Sequence, residues 1–192
     1  MTNTITILWK SREYNSLENC CIALTEAGAE IHSTIIGHYN KEVYKTEYHI
    51  KTNAQWHTLL AEIDHRTTKG TLQFRLESDG KGNWTENGNP AGRFKGCLDV
   101  DIALTPFTNT LPLNRLHLKK GGSEIIRVIH FNLPENKVKA LKQKYTRLSK
   151  YYRYENVPND FEATIEVDEL GFVCDYPGLF KRVAFKSRQT KL

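Results

Sequence analysis

The residues with the clearest capacity for chemistry are two aspartates in one apolar stretch. Asp99 and Asp101 lie two residues apart in a strand-like segment, so both side chains leave the same face. Two such carboxylates can serve as general acid and base or hold a divalent cation. The sequence has no nucleophile elbow, phosphate-binding loop or His-Glu-x-x-His motif, the patterns that mark common catalytic sites. We therefore expect a non-catalytic protein with no catalytic residue. An acid-residue-based hydrolase acting on a sugar or lipid is the alternative.

A second chemical feature is a run of basic residues from Lys137 to Arg153. It contains seven Lys and Arg residues and no acid, with tyrosines at 145, 151 and 152 between them. Basic side chains neutralise phosphates and aromatic rings stack on bases, so nucleic-acid binding through this segment is a further alternative. A solvated strand or helix face gives the same pattern. Since no known nucleic-acid motif accompanies the run, no specific nucleic-acid partner is expected.

The overall charge is confined to a few segments. Among 192 residues, 27 Lys and Arg face 22 Asp and Glu, for a net charge of +5. Residues 1–96 hold 11 of each sign, so the excess lies in the second half, in the basic run and near the end at Lys181, Arg182, Lys186, Arg188 and Lys191. No apolar stretch is long enough for a transmembrane segment, and the first residues do not resemble a signal peptide. These features predict a cytoplasmic protein.

The four cysteines do not form a metal-binding pattern. Cys20 and Cys21 are adjacent, and Cys97 and Cys174 are isolated, whereas a zinc site needs ligand pairs two to four residues apart. We expect reduced thiols, no metal and no cofactor.

The elements that must position these residues are predicted to be mostly strands. Short segments rich in β-branched and aromatic residues alternate with Gly, Asn and Asp turns, which favours an antiparallel, barrel-like curved sheet with few or short helices. Strand patterns cover residues 4–9, 20–24, 31–37, 43–50, 56–63, 71–76, 98–103, 125–131, 161–167 and 171–174. Within residues 43–50, the even-numbered side chains, from Tyr44 to Ile50, should share one face.

Two points of organisation stay open. Residues 134–148 fit a helix that begins after Pro134, or an edge strand. Residues 44–63 and 151–167 both run from aromatic strands through an Asn-containing turn to a second strand. This echo suggests two duplicated halves, although two unrelated hairpins would explain it equally well.

The stretch from Gly96 to Leu113, GCLDVDIALTPFTNTLPL, resembles the signature of the putative glycolipid-binding family of bacterial proteins. Further matching segments are Ile7-Leu8-Trp9, Trp56, Asp79-Gly80 with Trp84, QKYTRL (143–148), Tyr152-Arg153-Tyr154, VDELGFV (167–173) and DYPGLFKR (175–182). The length and the resemblance, which extends from Ile7 to Arg182, indicate one domain over residues 1–192, and the basic cluster near the end indicates a tail from 183 to 192. The resemblance also implies an antiparallel fold similar to bacterial lipoprotein-localisation carriers.

The resemblance further implies an amphipathic small molecule or glycolipid as the partner. The predicted ligand-binding residues are Asp101, Arg115, Gln143, Tyr145, Arg147 and Tyr154. We expect the prolines at 106 and 112 to hold Asp101 and Arg115 near each other, and the basic run to attract an anionic headgroup. Structural ion pairs are the alternative role for these acids and arginines.

Overall fold

The computed structural model describes residues 2–190 and is dominated by β-strands. The strands are β1 (Thr2–Ser11), β2 (Ser16–Thr25), β3 (Gly28–Tyr39), β4 (Glu42–Thr52), β5 (Thr58–Thr67), β6 (Gly70–Ser78), β7 (Trp84–Glu86), β8 (Asn89–Pro90), β9 (Asp99–Ile102), β10 (Ser123–Asn132), β11 (Lys137–Arg147), β12 (Tyr151–Val157), β13 (Glu162–Val167), β14 (Val173–Tyr176) and β15 (Phe180–Thr190). One α-helix, α1 (Thr110–Leu116), and three short 3₁₀ turns, Gly92–Phe94, Phe107–Asn109 and Leu133–Glu135, complete the described part of the chain.

All fifteen strands belong to one sheet in the order β8-β7-β6-β5-β4-β3-β2-β1-β15-β14-β13-β12-β11-β10-β9. Every pairing is antiparallel except that of β9 with β10. The predicted fold class, mainly β and antiparallel, is confirmed. The barrel-like expectation needs correction: β8 and β9 are the two edges of the sheet and do not pair, so within residues 2–190 the sheet is not closed.

The N-terminal half (β1–β8) and the C-terminal half (β9–β15) meet where β1 pairs with β15, from Thr2 opposite Thr190 to Ser11 opposite Phe180. Short turns set the registers. Asn40 and Lys41 have φ values of 50° and 68°, the left-handed geometry of a two-residue hairpin turn. The predicted alternation in β4 is confirmed, with Tyr44, Thr46, Tyr48 and Ile50 all buried.

Side chains fill the interior in two clusters. The first contains Trp9, Ile31 and Ile50 of the N-terminal half, together with Val100 and Phe131 of the C-terminal half. The second contains Val128, Tyr145, Tyr152, Ile165 and Phe180. The signature segment runs between them, because Phe107 and Leu111 belong to the first cluster and Leu113 to the second.

Three segments deserve comparison with the sequence-based predictions, one of which had left helix and strand undecided. Residues 137–147 form strand β11, not a helix. Residues 110–116 form α1, a helix that no sequence pattern had indicated, and Pro112 lies in its first turn. Proline is tolerated at this position because the first-turn amides of a helix have no intrahelical acceptor. Trp56 has a left-handed φ of 63°, and the strand predicted over residues 56–63 begins after it, at Thr58.

The C-terminal basic residues lie in a strand. Residues 183–190, expected to be a tail, form most of β15 and pair with β1; Lys191 lies outside the described residues. Nowhere in residues 2–190 is a helix both long and apolar enough to cross a membrane.

Candidate functional site

A cleft of about 300 Å³ opens against the C-terminal half, beside the turn between β1 and β2. We call it the aromatic cleft. Its aromatic lining consists of Tyr14, Tyr154, Phe161, Tyr176 and Phe180. Its polar lining includes Asp101, Asn109, His130, Asn132 and Asn156. Aromatic walls with a few convergent polar groups are typical of small-molecule sites.

Asp101 is the best-connected polar residue in the cleft. Its Oδ2 accepts hydrogen bonds from Gln143 Nε2 at 2.6 Å and from His130 Nδ1 at 2.8 Å, and its Oδ1 accepts one from the Thr108 hydroxyl at 3.3 Å. A carboxylate offers about four acceptor positions, so one position is left for a ligand hydroxyl. The Asp101 side chain is 18% exposed, which is enough for such a contact.

The electrostatics of Asp101 and His130 favour a charged pair. Burial alone would raise the pKa of Asp101, but the charge of His130 and the hydrogen bonds hold the pKa below its usual value. Burial likewise opposes the charge on His130, while the bond to Asp101 and its negative charge raise the pKa of the imidazole. With Nδ1 used by Asp101, Nε2 of His130 is the donor left for a ligand.

Gln143 and Tyr145 hold the polar residues of the cleft in place from the protein interior. Both are buried, at 1% exposure each. The Tyr145 hydroxyl donates to Asn109 Oδ1 at 2.9 Å, which ties β11 to the segment before α1. These two side chains therefore hold Asp101 and Asn109 in place, and neither belongs to the lining of the cleft.

Tyr154 forms part of the cleft wall. Its ring meets Tyr145 edge-on at a centroid distance of 5.4 Å and Phe161 at 6.0 Å. Its hydroxyl donates to Asn156 Oδ1 at 2.7 Å. Four of the six predicted ligand-binding residues, Asp101, Gln143, Tyr145 and Tyr154, are therefore brought together by the fold.

Arg115 lies elsewhere than expected. It makes a two-pronged ion pair with Asp99, with Nε to Oδ1 at 3.2 Å and Nη2 to Oδ2 at 2.6 Å, and not with Asp101. Asp99 is 0% exposed; burial raises its pKa, against the opposing effect of Arg115. A carboxylate so enclosed has no access to substrate, so Asp99 and Asp101 do not form the paired acids of a hydrolase.

Arg147 and the basic run also lie apart from the cleft. Arg147 covers the ring of Tyr152 at 5.3 Å and donates to its hydroxyl at 2.7 Å. No lysine or arginine of the Lys137–Arg153 run lines the aromatic cleft. Of the three tyrosines within the run, Tyr145 and Tyr152 are buried and Tyr151 alone is exposed, so the run offers one ring for base stacking.

Several cleft residues were not singled out from the sequence. His130 comes next to Asp101 through the parallel pairing of β9 with β10, and Tyr14, Phe161 and Tyr176 arrive from three separate turns or strands. No local spacing indicates these contacts. The sequence indicated this region only through the family resemblance, from which Asp101 and Tyr154 were predicted as ligand-binding residues.

A buried acid lies near the cleft, between the two halves. Glu18 Oε1 accepts hydrogen bonds from Tyr48 at 2.6 Å, Ser33 at 2.7 Å and Thr105 at 2.9 Å. Its Oε2 has no partner among the described residues. Burial raises the pKa of Glu18 to about 7, although these hydrogen bonds act to lower it.

The chain is similar to known proteins over most of its length. The model of a family described as "Putative glycolipid-binding" matches residues 6–182. A crystal structure of a DUF1089 family protein from Pseudomonas aeruginosa is 35% identical, with 86% of this chain and 92% of that chain covered and a TM-score of 0.77. No curated protein matches the sequence.

Proposed function

Because the chain belongs to the putative glycolipid-binding family, we propose that it binds a sugar-bearing amphipathic molecule without catalysis, and that the sugar occupies the aromatic cleft. The observation that carries this proposal is the convergence of five aromatic rings with the Asp101–His130 pair on one cleft. Aromatic faces pack against the apolar faces of sugar rings, while a carboxylate accepts and an imidazolium donates hydrogen bonds to hydroxyls.

The size of the cleft defines which part of the ligand it takes. About 300 Å³ is at the lower limit for small-molecule sites, so the cleft suits one headgroup and not a whole lipid. Phe161 at the cleft is 38% exposed and offers an apolar surface where the lipid part would leave. The acyl chains then stay outside the protein interior, which is filled by its own side chains.

A negative charge on the headgroup would lie outside the cleft, because Glu13 and Asp101 belong to its lining. Lys139 lies opposite His130 in the pairing of β10 with β11. A phosphate or sulfate group leaving the cleft on this side would meet a positive side chain.

Native mass spectrometry and calorimetry with a panel of lipids test the proposal. The panel pairs each glycolipid with the sugar-free lipid of the same acyl chains. We expect binding of one glycolipid per chain and at least about 10-fold weaker binding of the sugar-free partner, because loss of the hydroxyls leaves buried polar groups unpaired.

Matched variants locate the site. Phe161→Ala should weaken binding, whereas Tyr151→Ala, which removes a ring of similar exposure (42%) that does not line the cleft, should not. Asp101→Asn should reduce the preference for the glycolipid over its sugar-free partner. Equal binding of both lipids, or equal effects of the Phe161 and Tyr151 variants, would overturn the proposal.

A further inference from the structure

A row of polar side chains crosses the outer face of the N-terminal half. Cys21 of β2 lies opposite His32 of β3, His32 opposite His49 of β4, and His49 opposite Glu62 of β5. The Asn40-Lys41 turn fixes the pairing of the two histidines. Directly opposed residues on one face of a sheet have side chains within contact distance.

The two histidines converge on one carboxylate. Their rings stack with centroids 4.1 Å apart and planes 13° from parallel. Oε1 of Glu30 lies 2.9 Å from Nε2 of His49 and 3.5 Å from Nε2 of His32. One ligand atom from each of these three residues therefore lies within 4.8 Å of the others.

Glu62 sets which nitrogen of His49 is available. Its Oε2 lies 3.0 Å from Nδ1 of His49, and Arg75 holds the same carboxylate group through an ion pair. A carboxylate at Nδ1 keeps a proton on that nitrogen, so a metal ion binds at Nε2, where it displaces to solvent the proton that faces Glu30. This gives the usual carboxylate–histidine–metal arrangement.

We propose that Glu30, His32 and His49 bind a divalent transition-metal ion of the zinc class, with Glu62 as the positioning residue for His49. Two imidazole nitrogens and one carboxylate oxygen form a donor set that suits zinc. The ligand atoms need to approach to about 2.0–2.2 Å from the ion, which small side-chain rotations on an exposed sheet face provide. Lys51 Nζ lies 3.0 Å from Glu30 Oε1 and moves away when the ion takes its place.

The surroundings leave a coordination position open. An open hollow of about 610 Å³ is lined by His32, His49 and Glu62, and the His32 side chain is 63% exposed. Three protein ligands leave the fourth position of a tetrahedral ion to water or to an oxygen-bearing molecule from solution. The site lies on the outer face, and none of its residues lines the aromatic cleft, so it is independent of the proposed sugar site.

No motif in the sequence indicates this site, because its ligands are brought together by strand pairing. His32 and His49 are 17 positions apart, far from the two-to-four-residue spacing by which zinc ligands are usually recognised. The expectation of no metal rested on the spacing of cysteines and histidines along the chain.

Calorimetric titration of the full chain with Zn²⁺ near neutral pH tests the proposal. We expect one ion per chain, with affinity reduced at least about 10-fold in His49→Ala, Glu30→Gln and Glu62→Gln. The matched control is His38→Ala, another exposed histidine on β3, which should bind as the unaltered chain does. Cys21→Ser, which removes the exposed thiol of the row, should also bind normally.

Nuclear magnetic resonance of the imidazole nitrogens distinguishes metal binding by the histidines from a purely structural role. On addition of Zn²⁺, the Nε2 resonances of His32 and His49 should shift while Nδ1 of His49 keeps its proton. No binding at about 100 µM Zn²⁺, far weaker than ordinary protein zinc sites, would overturn the proposal. Equal losses in the His38 and His49 variants, or loss in Cys21→Ser alone, would overturn it as well.

Discussion

Glu18 is held where its negative charge is unfavourable. Three hydroxyl groups donate to one carboxylate oxygen, while the other oxygen is buried without a partner among residues 2–190. The folded protein therefore prefers the protonated acid, and the pKa rises from 4.5 to about 7. The consequence is a stability that depends on pH across the neutral range.

The first prediction concerns that dependence. A raised pKa in the folded state gives stabilisation that is complete below the unfolded value of 4.5 and lost as the pH rises through about 7. Relative to Glu18→Gln, the unaltered chain should lose about 2–3 kcal/mol of unfolding free energy between about pH 5 and about pH 8. Urea unfolding of both proteins across this range measures the difference. Parallel pH profiles would show that Glu18 does not titrate in this way.

The second prediction concerns the ion pair of Asp99 and Arg115. Arg115→Ala leaves the Asp99 carboxylate buried at 0% exposure without its partner, so we expect a loss of about 3–5 kcal/mol. Arg147→Ala, which removes a guanidinium that lies over the ring of Tyr152 and donates to its hydroxyl, should cost about 1 kcal/mol.

Replacing Asp99 as well tests the cause. If the loss comes from an isolated buried charge, Asp99→Asn in the Arg115→Ala background should recover part of the stability. Urea unfolding of the four proteins gives these values. Equal costs for the two arginine variants would contradict the assigned role of Arg115.

At the scale of the elements, the turns of the N-terminal half depend on two glycines with similar backbone geometry. Gly28 has a φ of 142° and Gly70 one of 144°. A Cβ added at Gly28 would lie 2.1 Å from the carbonyl oxygen of Thr52, whereas one added at Gly70 would meet nothing within 4 Å. Comparing alanine substitutions at these two glycines therefore separates the cost of backbone strain from the cost of a steric clash.

The third prediction uses this pair. Gly70→Ala should lower stability by about 1–3 kcal/mol, the usual cost of this backbone region for a residue with a Cβ. Gly28→Ala carries the same strain and also displaces Thr52, so it should lose at least about 2 kcal/mol more or fail to fold. Thermal unfolding followed by circular dichroism compares the two. A similar loss of melting temperature in both variants would mean that the clash is relieved at no cost.

The sequence predicts β1–β6 well because these strands pair through short local turns and bury one face. Strand β11 could not be assigned, and the reason is physical. Val138 packs against the first cluster, whereas Leu141 packs against the second cluster, of which Tyr145 is a member. Both faces of the strand are therefore apolar. Apolar residues at 138, 141 and 145 then have the spacing of a helix, and the period of two that marks a half-buried strand is lost.

The candidate site was predictable only in part, because some of its contacts depend on tertiary packing and not on local pattern. Tyr145 and Tyr154 face the same interior because β11 and β12 form one hairpin. The partner of Arg115 was not predictable, since Asp99 and Asp101 have the same type and neighbouring positions. Which of them meets Arg115 depends on where α1 lies against β9, and that is set by tertiary packing.

At the scale of the whole molecule, the signature segment connects the two halves. The ring of Phe107 is 0% exposed and stacks between Tyr48 at 6.4 Å and Phe172 at 6.5 Å. Tyr48 belongs to the N-terminal half and Phe172 precedes β14, so one side chain contacts both. This contact supports the expectation that the chain behaves as one domain.

The fourth prediction tests that cooperativity. Phe107→Ala should destabilise the protein by about 3–5 kcal/mol and lower a single unfolding transition. Circular dichroism and tryptophan fluorescence should give coincident curves before and after the substitution, as expected for one cooperative unit. Two separate transitions, with only one shifted by the substitution, would show that the halves unfold independently.

The pairing of β1 with β15 has a consequence for chain connectivity. Thr2 and Thr190 are register partners, so a short linker could join them as a hairpin, and new ends could be made at the exposed Gly121 beside Gly122. Such a circular permutant would trace β10 to β15 and then β1 to β8 as neighbour after neighbour across the sheet. Strand β9 then lies at the opposite end of the chain from β10, so their four-residue pairing becomes long-range, whereas the ten-residue pairing of β1 with β15 becomes local. The contact order therefore falls on balance, and the permutant should fold faster than the natural arrangement into the same sheet.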